Sequence, residues 1–291
     1  MDACQEIERS IIKKFRKPIW NRFIEAVQAY DLIREGDRIA VCISGGKDSF
    51  LLAKLMQELC RHGHTPFSLE FICMDPGYSP QNRKQIEQNC GLMQIPVKIF
   101  ESDIFRSVEH IEQSPCYLCA RMRRGYLYSF AKEQGCNKIA LGHHFNDAIE
   151  TALMGMLYSG QFQTMMPKLH STNFKGMELI RPLYCVREDD IKAFARYNNL
   201  TFLGCACRFT ERIAAAAGET DREHISKRYQ CKQLIKQLKA EDDLIDINIF
   251  RSFHNVNLNT VIGYQKNGVK TTFLDGYDDC EIPPAGAGED D

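Results

Sequence analysis

The stretch Arg38-Ile-Ala-Val-Cys-Ile-Ser-Gly-Gly-Lys-Asp-Ser-Phe-Leu-Leu-Ala-Lys-Leu55 decides how the chain reads. Ile39 to Ile43 is a continuous apolar run with β-branched residues, which predicts a strand buried on both faces of a sheet. From Phe50 to Cys60, Leu51, Leu52, Leu55, Met56 and Leu59 recur at helical spacing and predict a helix. Between them, Ser44-Gly45-Gly46-Lys47-Asp48-Ser49 has what a phosphate needs. The two glycines let the backbone approach an anion, and the first N–H groups of the helix point at it with the positive end of the helix dipole. Lys47 adds a point charge. The four-residue spacer of the Walker A loop is missing, so this is a different phosphate loop. A bare Gly-Gly turn could be purely structural; six residues in a strand–turn–helix context favour the phosphate.

Downstream, strands are expected at Leu69 to Met74, Val97 to Phe100 and Lys138 to Leu141, with a helix from Pro80 to Leu92. Strand and helix in alternation predict a parallel sheet with right-handed crossovers. Ligands of such sheets sit beyond the carboxyl ends of the strands. Asp75-Pro76-Gly77-Tyr78 is therefore a place for a nucleotide base, with Asp75 a candidate contact whose side chain reads first as a turn-former. Gly142-His143-His144-Phe145-Asn146-Asp147 follows the fourth strand, where a carboxylate such as Asp147 suits Mg²⁺ held against phosphates. Leu179 to Leu183 is a short strand broken by proline, and Arg181 is a candidate for a phosphate contact or a salt bridge. A helix is expected from Asp189 to Tyr197.

The chain has 291 residues, 44% of them apolar and 26% charged, which suits one sizeable soluble domain with additions or two small ones. Its formal net charge is −1, so a nucleic-acid surface must come from local clustering. Arg9, Lys13, Lys14, Arg16, Lys17 and Arg22 lie on a helical stretch with no acidic residue among them. A second basic helix is expected from Thr220 to Ala240. Either could bind a polyanion or be a solvated face. No apolar run reaches membrane-spanning length and the N-terminus lacks a signal-peptide core, so the cytoplasm is the expected location, with no membrane partner.

Thirteen cysteines are many for such a chain, and their odd number argues against a complete disulfide framework. Cys116 and Cys119 stand three apart at the start of an expected helix, beside three arginines. That spacing puts them on one face, able to share a metal or cluster, and the helix terminus favours thiolates. A thioredoxin-like pair is the alternative. Cys205-Ala206-Cys207 offers one or two further thiols; most other cysteines read as small buried hydrophobes.

Ser44 to Ser49 resembles the PP-loop of the ATP pyrophosphatases, which grip the pyrophosphate of ATP and activate a substrate by adenylation. Together with Cys116-x-x-Cys119 and the following Arg-Met-Arg-Arg-Gly, Gly142-His-His-Phe-Asn-Asp, Ile180-Arg-Pro-Leu and the late cysteines, it makes the chain from about residue 15 to about residue 208 similar to the tRNA 2-thiocytidine synthetases, the TtcA family. The resemblance implies an α/β fold of Rossmann-like PP-loop type, a parallel sheet with helices on both faces, plus N- and C-terminal helical extensions. It implies an enzyme that adenylates O2 of an anticodon-loop cytidine with ATP and Mg²⁺, after which sulfur displaces AMP. A [4Fe-4S] cluster would be held by Cys116, Cys119 and a third cysteine, Cys207 in preference to Cys205. Ser44, Gly45, Gly46, Lys47, Asp48 and Ser49 would bind the phosphates, with Lys47, Asp48 and Asp147 in the chemistry and Asp75, Gly142, His143 and Arg181 around the nucleotide. Asn146 departs from the family's usual Asp-Asp.

The expected organisation is an N-terminal helical segment over 1–35, the ATP- and cluster-binding domain over 36–207, and a helical extension with an acidic, disordered tail over 208–291. The implied partners are tRNA and a sulfur donor, a cysteine desulfurase or free sulfide; a homodimer is left open. Alternatives are a 2-thiouridine synthetase using a persulfide on Cys119 or Cys207, a lysidine-type ligase, or a nucleotide- and metal-binding regulator without turnover.

Overall fold

The computed structural model describes residues 2–102, 104, 115–204 and 227–277. The deciding apolar run is strand β1 (Arg38–Cys42), third in a six-stranded sheet. It pairs in parallel with β2 (Ser68–Asp75) on one side and, on the other, with the strand Lys138–Ala140, β4. Strand β3 (Val97–Glu101) extends the sheet beyond β2, and the strand Glu178–Ile180, β6, extends it beyond β4, both in parallel. The remaining edge strand β5 (Lys168–His170) runs antiparallel to β6, with Lys168 opposite Ile180 and His170 opposite Glu178. This departs from the all-parallel expectation; three edge residues carry no legible periodicity.

Ile39 to Cys42 of β1 and Phe71 to Met74 of β2 are apolar and buried because both faces of the sheet centre are covered. Ile39 and Val41 join a core with helices α1 (Ala3–Lys13), α2 (Asn21–Ala29), α3 (Lys47–His62) and α4 (Pro80–Leu92), whereas Ala40 and Cys42 face Tyr128 and Ala131 of α5 (Pro115–Glu133). A π-helical turn (Arg16–Trp20) between α1 and α2 buries Ile19 in the first core. The N-terminal helices are thus integral to the domain. Buried Lys54 of α3 fastens them, donating from Nζ to Glu8 Oε1 at 2.6 Å and to the Met93 carbonyl at 3.0 Å. Lys138 does the same across the sheet floor, 2.8 Å from Asp37 Oδ2 and 3.0 Å from Glu178 Oε2.

Four further α-helices lie among the described residues: α6 (Phe145–Ser159), α7 (Glu188–Tyr197), α8 (Lys227–Glu241) and α9 (Ile245–Ser252). The chain divides into two compact units, Met1–Asp246 and Ile247–Asp291. The second holds an antiparallel hairpin, β7 (Gly263–Lys266) and β8 (Val269–Thr272), in a region expected to be helix and acidic tail. Its signal is Asn267-Gly268, whose φ values of 52° and 82° are those that two-residue hairpin turns demand. The expected 207/208 boundary and the acidic tail at the end of the 208–291 extension lie outside the described residues. Among the described residues no helix is long and apolar enough to cross a membrane.

Candidate active site

The carboxyl ends of β1, β2 and β4 deliver three turns to one edge of the sheet. The first holds Ser44 to Ser49. Gly45 has φ +87°, and a Cβ there would lie 2.7 Å from Leu203 Cδ1, so both conformation and space call for glycine. Gly46 is the N-cap of α3, which begins at Lys47. Ser49 locks the loop: its Oγ donates to the Gly46 carbonyl at 2.8 Å and accepts from the Ser44 N–H at 3.1 Å. The first N–H groups of α3, which have no acceptor within their own helix, stand where an anion can reach them.

The third turn lies against this cradle. A Cβ on Gly142 would be 3.0 Å from both Asp48 C and Ser49 N, so only glycine lets the two backbones meet. His144 then caps α6, its Nδ1 accepting from the Asp147 N–H at 3.4 Å, while Asp147 Oδ2 accepts from the His144 N–H at 2.9 Å. Asp147 Oδ1 pairs with Arg228 at 2.8 Å. Burial works against the charged form of Asp147, but His144, with its backbone N–H, and Arg228 outweigh it and hold the carboxyl below its usual range.

Asp48 is different. Its Oδ2 meets Lys47 Nζ at 3.1 Å, but its Oδ1 is buried without a hydrogen-bond partner, 3.8 Å from His144 Nε2. A buried anionic oxygen without a donor is costly, and it sits beside the phosphate cradle on the wall of a cavity of about 320 Å³. That donor set suits a hard cation carried in on a polyphosphate. Ser44, Tyr78, Arg123 and His143 contribute to the same cavity, with an apolar side from Ile43, Met74 and Leu141.

His143 and Arg181 form a buried pair. Arg181 Nε donates to His143 Nδ1 at 3.3 Å, and its Nη1 donates to the Met166 carbonyl. Burial, then the Arg181 charge, pushes His143 down to about 4; the imidazole is neutral and carries its proton on Nε2. Burial and Arg124 push Arg181 down to about 10. Asp75 is a turn-former: its Oδ1 accepts from Gly77 N–H at 2.8 Å and Tyr78 N–H at 2.7 Å, and its Oδ2 pairs with Arg83 at 3.1 Å. It presents Tyr78 to the cavity and has both of its own oxygens engaged.

Sequence reasoning missed Glu188. It opens α7 and holds three lysines, Lys232 at 2.6 Å, Lys192 at 3.0 Å and Lys47 at 3.4 Å. Burial alone would raise its pKa, but the hydrogen bonds from Lys232 and Lys192, with Lys47 beyond, pull it down to about 2. Its signal is the acidic first turn Glu188-Asp189-Asp190. Asn146 belongs to the same arrangement, its Oδ1 accepting the Glu188 N–H at 2.9 Å and joining α6 to α7. The α8 cations expected as an RNA surface are largely turned inward: Arg228 to Asp147, Lys232 to Glu188 and Lys239 to Asp246 at 2.7 Å.

Cys116 and Cys119 fall in the first turns of α5. Their side chains, and the whole of Cys205 and Cys207, lie outside the described residues, so the expected convergence of thiols does too. The described cysteines are free thiols raised by burial, Cys73 and Cys90 to about 12 and Cys185 to about 11. Among the described residues no group of three or more His, Cys, Asp or Glu is placed to hold a metal ion.

A family model described as the PP-loop domain matches residues 11–206. The tRNA-cytidine(32) 2-sulfurtransferase of Geobacter metallireducens is 34% identical over 274 residues, 93% of this chain and 98% of that protein. Its namesake from Geotalea uraniireducens is 34% identical over 242 residues, 82% of this chain and 91% of the relative. Among solved structures, the U34-tRNA thiolase NcsA from Methanococcus maripaludis, with its [4Fe-4S] cluster, aligns with a TM-score of 0.63 at 20% identity, covering 80% of this chain and 76% of that one. The phosphate cradle, the sheet that presents it and the near full-length match agree: the chain is a PP-loop protein and belongs to the tRNA-cytidine(32) 2-sulfurtransferase family.

Proposed function

We propose that this protein is an ATP-dependent tRNA thiolase that adenylates O2 of an anticodon-loop cytidine and replaces that oxygen with sulfur. The observation that carries the reading is the 44–49 cradle with the partnerless Asp48 Oδ1 beside it, in a member of this family. The β- and γ-phosphates of ATP rest on the N–H groups that open α3. Lys47, which Asp48 and Glu188 hold beside the loop, would neutralise them, and Asp48 Oδ1 would hold the Mg²⁺. The base enters the apolar side of the cavity, where the neutral His143 offers an N–H donor. Attack of O2 on the α-phosphorus forms the adenylate and expels pyrophosphate, whose growing charge Lys47 and the helix terminus stabilise. A carbonyl oxygen leaves poorly; as a phosphate ester it departs with AMP when sulfur attacks C2.

Cys116 and Cys119, three apart in the opening turns of one helix, suit two corners of a [4Fe-4S] cluster, with Cys207 or Cys205 as the third ligand. Such a cluster would supply sulfide for the attack on C2; free sulfide would deliver it directly, whereas persulfide sulfur from a cysteine desulfurase would need a two-electron reductant as well. The exposed Lys13, Lys14, Arg16 and Lys17 of the N-terminal helices would hold the tRNA backbone. A homodimer would have the exposed Met156, Leu157, Phe162 and Met166 available to cover. The protein would work in the cytoplasm.

Anaerobically reconstituted protein given unmodified tRNA, ATP, Mg²⁺ and sulfide is expected to release pyrophosphate and to yield 2-thiocytidine on nucleoside mass spectrometry. Pyrophosphate release with thiouridine, or with no thionucleoside, would overturn the assignment.

A further inference from the structure

A second cavity, of about 380 Å³, adjoins the first and shares Asp48 with it. Its walls come from Gly46 and Lys47 of the phosphate loop, from α7, and from the segment ending in Phe202 and Leu203. That segment is firmly placed. Phe202 stacks on Phe50 at 5.3 Å between centroids, the Leu203 N–H donates to the Gly45 carbonyl at 3.1 Å, and Asn89 Nδ2 donates to the Thr201 carbonyl at 2.9 Å. Helix α7 contributes Lys192 and Arg196, one turn apart on the same face. With Lys47 the cavity has three cations against the single carboxylate of Asp48 on its lining. Lys47 and Lys192 share Glu188 as counter-ion, whereas Arg196 is exposed and has no carboxylate partner among the described residues.

The positive charge does not stop at the cavity. Tyr197, next to Arg196, is 53% exposed and has Lys14 Nζ 3.8 Å from its ring centroid. Lys14 in turn leads to Lys13, Arg16 and Lys17, all exposed. Cations therefore run from the phosphate loop along the end of α7 to the N-terminal helices. A closed phosphate site needs no such exit, whereas a polyanion that continues past the site does.

We infer that the second cavity is the seat of an RNA backbone phosphate next to the target nucleotide, and that Lys192, Arg196, Tyr197 and Lys14 guide the strand from it. The inference rests on the proposed function: a base reacting in the first cavity stays attached to its own sugar and phosphates, which must lie in an adjoining space. Arg196 has the fork geometry that phosphodiesters favour, Lys192 gives a point charge, and Tyr197 offers a face for stacking a neighbouring base. The chemistry recognised is a phosphate group. The alternative source of that group is the pyrophosphate released from ATP.

The test is binding of an unmodified tRNA transcript to the full-length, anaerobically prepared protein over a salt series, for wild type, Arg196→Gln, Arg196→Lys and the double variant Lys14→Gln/Arg196→Gln. The slope of log affinity against log salt is expected to flatten by about 0.7 to 0.9 in Arg196→Gln and by about twice that in the double variant. Arg196→Lys keeps the charge and the wild-type slope, and ATP affinity is unchanged throughout. Wild-type slopes in all variants overturn the inference. A weakened pyrophosphate inhibition in Arg196→Gln with an unchanged tRNA slope also overturns it, assigning the cavity to the product. A wild-type protein that binds no tRNA overturns the proposed function together with this inference.

Discussion

Asp48 and Asp147 show how two carboxylates on adjoining turns come to different uses. Both oxygens of Asp147 are taken, by the His144 N–H and by Arg228, so it organises the site; Asp48 keeps one oxygen without a donor. Asp48→Asn should leave folding intact and reduce the rate of pyrophosphate release about 10²- to 10³-fold at saturating Mg²⁺, as measured by a coupled phosphate assay. Glu150 adds a pH dependence. It is 4% exposed, and burial, then the nearby Asp147 charge, pushes it up to about 7; Arg228 at 3.7 Å compensates only in part because its guanidinium is committed to Asp147. A carboxyl whose folded pKa is raised favours the fold while protonated. Its contribution is complete below about pH 4.5 and is lost as pH rises through about 7. Glu150→Gln should therefore gain on the wild type as pH climbs across that window, by on the order of 1–3 kcal/mol at pH 8 in urea denaturation. The sequence shows each of these acids; it does not show which has a partner, since Arg228, which serves both Asp147 and Glu150, lies far along the chain on another helix.

At the level of elements, the decisive feature is helix α8. Its basic composition reads as a nucleic-acid surface, yet its cations reach the carboxylates at the starts of α6 and α7, so the helix closes over the site. Buried Asp246, just past it, holds both Arg187 and Lys239. Burial disfavours its charge, but the two cations more than offset this and hold the carboxyl below its usual range. Asp246→Ala would leave Arg187 and Lys239 without their anion and should cost about 1–3 kcal/mol in chemical denaturation. It should also speed proteolytic cleavage around α8 and raise KM for ATP, because Lys232 would then hold Glu188, and through it Lys47, less firmly. Most elements were legible beforehand. The strand from Ile39, the helix from Pro80 to Leu92 and the helix ending at Tyr197 were read from periodicity within a residue or two. The three-residue β5 and the hairpin at Asn267-Gly268 were not, one being too short for a pattern and the other hidden in acidic composition.

For the molecule as a whole, the proposed cluster would require distant parts of the chain to meet, since the Cys116 pair and the late cysteines are separated by β4, α6, β5, β6 and α7. Cys116→Ser/Cys119→Ser should bind less than a tenth of the wild-type iron after anaerobic reconstitution and lose the visible absorbance, while binding ATP normally; full iron content in this variant would place the cluster elsewhere. Local chemistry was determined by the sequence alone: a glycine turn between a doubly buried strand and a helix has few physical uses, and Gly45, Gly46, Lys47 and Ser49 can be read as a phosphate cradle because every part of it lies within six consecutive residues. Only the tertiary structure decided how charges are shared. That Glu188 neutralises Lys47, that Asn146 caps α7, that Asp75 is used up in its own turn and that Asp48 Oδ1 is left bare depend on which side chains meet across the sheet edge, and electrostatic partnership between distant residues leaves no periodic trace in the chain.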